Sequence, residues 1–309
     1  MVCLDIMGIA LVAWVMDARK YFLIVNLIAG RGRCKQLFPK IRQELDRRKI
    51  DYDLHYTNEP MEAVDVAKMG IEAGFTHLVA MGGDGTVNEV VNGMYGSDAV
   101  LAVIPAGTGN DFIRSLGIPD DPVGALDTLI HGKERTIDIG RVAEDRCFVN
   151  GLGVGLDAKV AQTVLQKERR HATAYLFAAI KEALRFPAFP VEITTEEGSF
   201  SLDCVSLGIA NAPYCGGGFK LAPRATMTDG LIDIAAIGDF PKLERLIRLP
   251  QARAGKHLGL SRVRYQQTTR AEITSSSKLV AHIDGEPYRL PRNGFAAEVL
   301  PQAIRVITS

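Results

Sequence analysis

The sequence predicts two units: an α/β unit built on a parallel sheet over about residues 21–136, and an all-β sandwich over about residues 137–299. Three observations lead there. From Tyr21 to about residue 136, short apolar runs of strand type alternate with stretches whose apolar residues recur at helical spacing, the pattern of βαβ units. Beyond that point strand-like runs follow one another with few helices between them, as in antiparallel sandwiches. Glycine-rich loops also fall where strands of the first unit end, the edge at which parallel sheets gather ligands.

Composition narrows the partners. The 309 residues hold 36 Lys plus Arg against 36 Asp plus Glu, so no overall charge speaks for nucleic acid. Five cysteines, at positions 3, 34, 147, 204 and 215, show neither metal-ligand nor paired spacing, which fits a reduced cytosolic protein. The uncharged run Ile6–Met16 is about half the length of a bilayer span, and it lacks the preceding basic residues of a signal peptide. Residues 1–20 read as an N-terminal extension.

The first unit opens with the apolar strand Tyr21–Asn26 and the loop Leu27–Arg33. An amphipathic helix carrying Leu37, Ile41 and Leu45 follows, with Pro39 expected near its first turn. Asp51–Thr57 alternates like a strand, and a helix starts around Asn58 and Pro60 and runs to Gly74. The apolar run His77–Met81 leads into Gly82–Thr86, after which Val87, Val90, Val91 and Met94 share one helical face. Val100–Ile104 empties into Pro105–Asp111, another glycine-rich turn before a helix.

In the second unit strands are expected at Arg135–Val142, Cys147–Leu152, Val191–Thr195, Phe200–Ala210, Leu231–Ile237, Ala271–Ser275 and Leu279–Ile283. One helical interruption spans Ala158–Phe186, with Tyr175, Leu176, Ile180 and Leu184 as a core stripe, and a second spans about 241–258. The segment 242–264 sets Lys242, Arg245, Arg248, Arg253, Lys256, Arg262 and Arg264 against Glu244 alone. It reads either as a solvated face or as a surface attracted to an anionic membrane.

The chemistry centres on Gly82–Thr86. Glycines in a strand-to-helix turn let a polyphosphate approach the backbone, unpaired N–H groups at the helix start point toward it, and Thr86 adds a hydroxyl. Asp84 facing phosphates is repulsive unless a cation lies between them, so it implies Mg²⁺ or a proton to be moved. Taken alone, Gly-Gly-Asp-Gly is also compatible with an ordinary turn; its place between a strand and a helix favours the phosphate reading.

Five motifs occur in a fixed order: Gly82-Gly83-Asp84-Gly85-Thr86-Val87-Asn88-Glu89-Val90, then Pro105-Ala106-Gly107-Thr108-Gly109-Asn110-Asp111-Phe112, then Gly216-Gly217-Gly218-Phe219 leading to Ala222-Pro223, then Asp229-Gly230-Leu231, then Asp284-Gly285-Glu286-Pro287. With them the chain resembles the diacylglycerol kinase catalytic family, most of all its soluble bacterial lipid kinases. The resemblance implies an ATP-binding α/β domain like that of NAD kinases, a β-sandwich substrate domain, and an active site in the cleft between them. It also implies a last strand, about 300–309, that can return to the first domain.

The positions that match the family's ATP contacts are Asn26, Gly30, Thr57, Gly82, Gly83, Asp84, Gly85, Thr86, Asn88, Glu89 and Thr108. The first loop departs from the family, with Leu27 and Ala29 where Pro and Ser are common. Asp284 matches the general base and Glu286 the position beside it, while Asp84 would organise Mg²⁺ and ATP. Asp229, with the backbone carbonyls of Thr226 and Leu231, matches a structural Mg²⁺ site. The activity implied is ATP-dependent phosphorylation of diacylglycerol or a related lipid alcohol. An NAD kinase-like small-molecule kinase and a non-catalytic nucleotide-binding regulatory module are the alternatives. The implied setting is cytoplasmic, in peripheral contact with the anionic inner membrane surface, without nucleic acid; a homodimer is compatible with the resemblance.

Overall fold

The computed structural model describes residues 19–143, 146–165, 172–291 and 294–309. The expectations placed on Ile6–Met16 lie outside these residues. The first unit runs β1 (Tyr21–Val25), α1 (Ala29–Arg47), β2 (Tyr52–Tyr56), α2 (Glu62–Glu72), β3 (His77–Gly82), α3 (Asp84–Met94), β4 (Val100–Pro105), α4 (Asp111–Leu116) and α5 (Pro122–His131). The strands lie in the order β4-β3-β1-β2, all parallel, with Tyr21 opposite both Tyr52 and His77. Every residue of β1, β3 and β4 is buried, because helices cover both faces of the sheet; this is why these strands read as continuous apolar runs.

Helix α1 differs from its expected start. Gly30, Arg31 and Gly32 have φ of 57°, 62° and 80°, so regular helical geometry begins only at Arg33, and Pro39 lies inside the helix rather than in its first turn. Its missing N–H gives up one helical hydrogen bond there, while Cys34, Phe38, Ile41 and Leu45 are buried against the sheet.

The second unit runs β5 (Lys133–Val142), β6 (Arg146–Phe148), β7 (Gly151–Gly155), α6 (Leu156–Leu165), α7 (Ala172–Arg185), β8 (Phe189–Thr195), β9 (Gly198–Ala210), β10 (Ile232–Gly238), α8 (Lys242–Arg253), β11 (Val263–Thr268), β12 (Arg270–Thr274), β13 (Ala281–Ile283), β14 (Glu286–Tyr288) and β15 (Phe295–Thr308). Strands β5 to β14 pair with one another antiparallel, and apolar residues of β7, β8, β9, β10, β12, β13 and β15 meet in one core.

Two expected elements are divided. The single helix over Ala158–Phe186 is two, α6 and α7, with residues 166–171 outside the described set and the side chains of Tyr175 and Leu176 likewise. The single strand Cys147–Leu152 is β6 and β7, interrupted at Val149–Asn150, where the backbone N–H groups turn to a carboxylate instead of a neighbouring strand.

Strand β15 joins the units. Its first half pairs antiparallel with β12 and β5; its second half stays on β5 and adds a parallel pairing with β4, at Arg305–Val100 and Val306–Leu101. Between the halves the register shifts, and Gln302 takes φ 50°. Asp138, 1% exposed, secures the shift: its Oδ1 accepts from Gln302 N–H at 2.7 Å and its Oδ2 from Gly230 N–H at 2.8 Å.

Candidate active site

The loops after β1, β3 and β4 meet at one edge of the sheet, and glycine is what lets them touch. A Cβ on Gly30 would fall 2.1 Å from the Ala106 carbonyl oxygen, and one on Gly107 would fall 2.5 Å from Gly83 Cα. Asn26 Nδ2 donates to Thr86 Oγ1 at 3.1 Å, while its own Oδ1 accepts from Ile28 N–H at 3.2 Å. Thr57 N–H donates to the Val25 carbonyl at 3.0 Å, which places that buried threonine beside the same edge. Thr108 is exposed on the adjoining loop. Glu89 turns elsewhere: its Oε2 accepts from Ala63 N–H at 3.2 Å, so it caps the start of α2.

Four carboxylates surround the start of α3. Asp84, the first residue of that helix, accepts from Phe112 N–H at 3.0 Å through Oδ1. Asp111, the first residue of α4, accepts from Gly217 N–H at 2.7 Å and from Arg114 Nη1 at 2.6 Å. The two acids flank Gly109, whose Cβ would stand 3.0 Å from Asp84 Oδ2 and 3.7 Å from Asp111 Oδ2. Burial, and then the Asp84 charge, push the Asp111 carboxyl up to about 6, and burial likewise raises Asp84. A cation held between them would relieve this repulsion, and two carboxylates with phosphate oxygens would be a donor set suited to Mg²⁺.

Asp284 sits in a tight turn between β13 and β14 with φ 48°. Its Oδ1 accepts from Asn150 and Gly151 N–H at 2.8 and 2.9 Å, and its Oδ2 from Val149 N–H and Asn88 Nδ2 at 2.9 and 2.7 Å. Burial pushes its carboxyl above the ordinary range, against the pull of these four donors. The donors occupy all four lone-pair sites, so Asp284 can take a proton only where one donor yields. Asn88 is the donor on a side chain, and it also serves the Cys147 carbonyl at 2.9 Å. Glu286 is exposed and lies against the glycine turn, its Oε1 3.4 Å from where a Gly85 Cβ would be.

The two units are thereby wired together. Asn88, on α3, bonds Asp284 directly, and Asn150 holds Asp284 with its backbone while its side-chain amide faces Asp84 and favours the ionised carboxyl. Among these residues, Asp111 closes the Pro105–Asp111 turn, where the sequence gives it no role of its own, and Asn150 carries no sequence signal at all.

The second unit holds a cavity of about 120 Å³ lined by residues of α6, α7 and α8 among others. Leu156, Val160, Phe219, Leu249 and Leu260 make much of its wall apolar. Cys215, Gly216 and Phe219 line it, and Gly217, within that turn, is the donor to Asp111; His282, also in the lining, is two residues from Asp284.

The remaining sequence expectations separate. Asp229 and Thr226 are exposed, and Asp229 Oδ1 accepts from Leu231 N–H at 3.1 Å, closing a local turn. Among the described residues no three His, Cys, Asp or Glu side chains form a preassembled metal cage. The basic segment is not one solvated face. Arg245 is 8% exposed and bonds the carbonyls of Phe240, Ala183 and Phe186 and the Asp239 carboxylate. Arg248 bonds Glu244 and Gln251, and Arg253 lies over the Phe219 ring. The exposed face of α8 presents Leu243 and Ile247 instead, 75% and 69% exposed. No described helix is long and apolar enough to cross a membrane.

Comparison with known proteins agrees with this arrangement. Residues 20–142 match the diacylglycerol kinase catalytic domain, and residues 150–308 match the YegS C-terminal NAD kinase beta sandwich-like domain. A protein of Shewanella frigidimarina named "Probable lipid kinase YegS-like" is 34% identical over 80% of this chain and 82% of its own length. A diacylglycerol kinase of Bacillus subtilis is 32% identical over 85% of this chain and 88% of its own. A crystal structure from Bacillus anthracis, titled as of diacylglycerol kinase type, superposes with a TM-score of 0.76 at 25% identity, covering 94% of this chain and 97% of that one. The chain belongs to the diacylglycerol kinase catalytic family, alongside the bacterial YegS-type proteins, and is a lipid kinase.

Proposed function

We propose that the protein transfers the terminal phosphoryl group of ATP to the hydroxyl of diacylglycerol or a related lipid alcohol. The observation that supports this most is the apolar cavity beside both sets of carboxylates: its lining includes Gly216, next to the Gly217 that donates to Asp111, and His282, two residues before Asp284. A small-molecule kinase acting on NAD has no use for such a wall.

In this reading the glycine loops and the start of α3 hold the phosphates by backbone N–H groups, with Asn26, Gly30, Thr57, Thr86 and Thr108 around them. Asp84 and Asp111 would hold Mg²⁺, which would neutralise charge on the transferring group. Asp284 orients the lipid hydroxyl and accepts its proton as the oxygen attacks phosphorus, Asn88 releasing Oδ2 to make room. Glu286, over Gly85, stands where it can take over that proton or keep the hydroxyl aligned. Asp229, with the carbonyls of Thr226 and Leu231, is a further cation site of lower charge. Leu243, Ile247 and Phe177, the last 67% exposed, surround the outer side of the cavity helices and rest on the inner membrane surface, with Lys242 and Arg253 toward anionic headgroups.

The test is transfer from labelled ATP to lipid alcohols in anionic vesicles. Wild type is expected to label lipid and not NAD, with Asp284→Asn slowed by about 100-fold or more and Leu243→Asp/Ile247→Asp slowed only when the substrate is in vesicles. ATP binding without transfer to any lipid would support a regulatory module instead.

A further inference from the structure

Of the four donors that fill the Asp284 carboxylate, only one can leave by itself. Val149, Asn150 and Gly151 give backbone N–H groups, and their segment is held from behind. Asn211 donates its N–H to the Asn150 carbonyl and its Nδ2 to the Val149 carbonyl, both at 2.9 Å, while Gly151 opens β7, which is paired to β9 and β13. The fourth donor, Asn88 Nδ2 at 2.7 Å, is a side chain and comes from the other unit. Rotation of that side chain alone frees Oδ2.

The surroundings aim Asn88 at this bond. Its Oδ1 accepts from Arg146 Nη2 at 2.7 Å and from Asn92 Nδ2 at 3.2 Å, two groups that only donate. Its Nδ2 therefore has to face the Cys147 carbonyl and the Asp284 carboxylate, which only accept. Asn92 is itself fixed by the backbone of Cys147, accepting its N–H at 2.9 Å and donating to its carbonyl at 3.1 Å. Asp284 and Gly285 form a turn that is half-buried rather than sealed, so burial alone does not keep water from the carboxylate. The filled lone pairs do.

Resting on the lipid-kinase reading, we propose that Asn88 guards the proton acceptor: it covers Asp284 Oδ2 while no lipid is bound and thereby suppresses hydrolysis of ATP by water. Transfer and hydrolysis both break the bond from the terminal phosphorus to the oxygen that leaves with ADP, and both form a bond from an attacking oxygen to that phosphorus. The attacking oxygen belongs to the lipid in one case and to water in the other, and in either case its proton passes to Oδ2. Water arriving at Oδ2 gains one hydrogen bond while Asn88 gives one up, so the exchange has no net drive. A lipid alcohol brings the burial of its chain together with its hydroxyl, and that remote binding energy turns Asn88 aside. Shortening the chain weakens the drive, so it lowers kcat as well as raising KM.

The experiment follows ADP release by the full-length protein at saturating Mg²⁺ and ATP, without lipid and with long-chain and short-chain diacylglycerol in mixed micelles. Asn88→Ala removes the guard, and Asn92→Ala loosens its amide without removing it. Wild type is expected to release ADP far more slowly without lipid than with it. In Asn88→Ala the ratio of hydrolysis to transfer should rise by about tenfold or more, the scale of one hydrogen bond to a charged group, and kcat should depend less on chain length. Asn92→Ala should move the ratio the same way by less. An unchanged or lower ratio in Asn88→Ala overturns the proposal, since damage to the fold or to ATP binding lowers both rates together. So does a wild type that releases ADP as fast without lipid as with it. If Asn88→Ala does not fold, a raised ratio in Asn92→Ala supports the guard and an unchanged one overturns it. If wild type phosphorylates no lipid alcohol, the lipid-kinase reading fails by itself; the guard then stands or falls on whether Asn88→Ala hydrolyses ATP faster than wild type.

Discussion

Asn150 places one residue between the two acids to which we assign metal binding and proton transfer. Its N–H holds Asp284 Oδ1 at 2.8 Å, and its amide faces Asp84 from the other unit. Asn150→Ala keeps the backbone bond and removes the amide, leaving Asp84 with less support for its charge in a buried setting. Turnover should fall by about 10- to 100-fold, corresponding to the roughly 1–3 kcal/mol of one unsatisfied buried polar group. Steady-state kinetics with saturating ATP and lipid check this, and an unchanged kcat would show that the amide plays no part. Asp84 and Asp284 were legible because glycines beside them announce sharp backbone turns. Asn150 was not, since a single Asn within a strand-like run has no pattern to stand out from.

At the scale of elements, α3 carries Asp84, Asn88 and the glycine turn, and its axis is set by how closely it approaches α2. Gly93 makes that approach: a Cβ there would lie 2.3 Å from the Val64 carbonyl oxygen and 2.7 Å from Ala67 Cβ. Because one of those atoms is backbone, the helices themselves must separate. Gly93→Ala should therefore destabilise the protein by about 1–3 kcal/mol despite the better helix propensity of Ala. A melt followed by circular dichroism checks this; a raised Tm would mean that the helices yield without cost. Strands β1, β3 and β4 were readable from their unbroken apolar runs. The break between β6 and β7 was not, because Val149 and Asn150 look like any strand residues, and only Asp284, 134 positions after Asn150, draws their N–H groups away.

Across the whole molecule, β15 is the structural tie between the two units, since it pairs with β12 in one, with β4 in the other and with β5 along both halves. Removing residues 304–309 would leave β4 without its outer neighbour and strip Ile304, Val306 and Ile307 from the cores they occupy. Such a truncation should yield aggregated protein or one whose Tm is lowered by many degrees, an exposed apolar edge being a template for association. Size-exclusion chromatography and a thermal melt decide; a monodisperse, wild-type melt would show the tie to be dispensable.

By itself the sequence determined the parallel first sheet, the antiparallel second unit and the glycine turn at Gly82–Thr86. These follow from hydrophobic period and backbone sterics, which act over a few residues. The tertiary structure decided the rest. It took Glu89 to cap α2 and buried Arg245 among carbonyls. Above all, it brought Asn88 and Asp284 within 2.7 Å across 196 positions of chain. Such contacts depend on how whole elements stack, and no local pattern encodes a partner that distant.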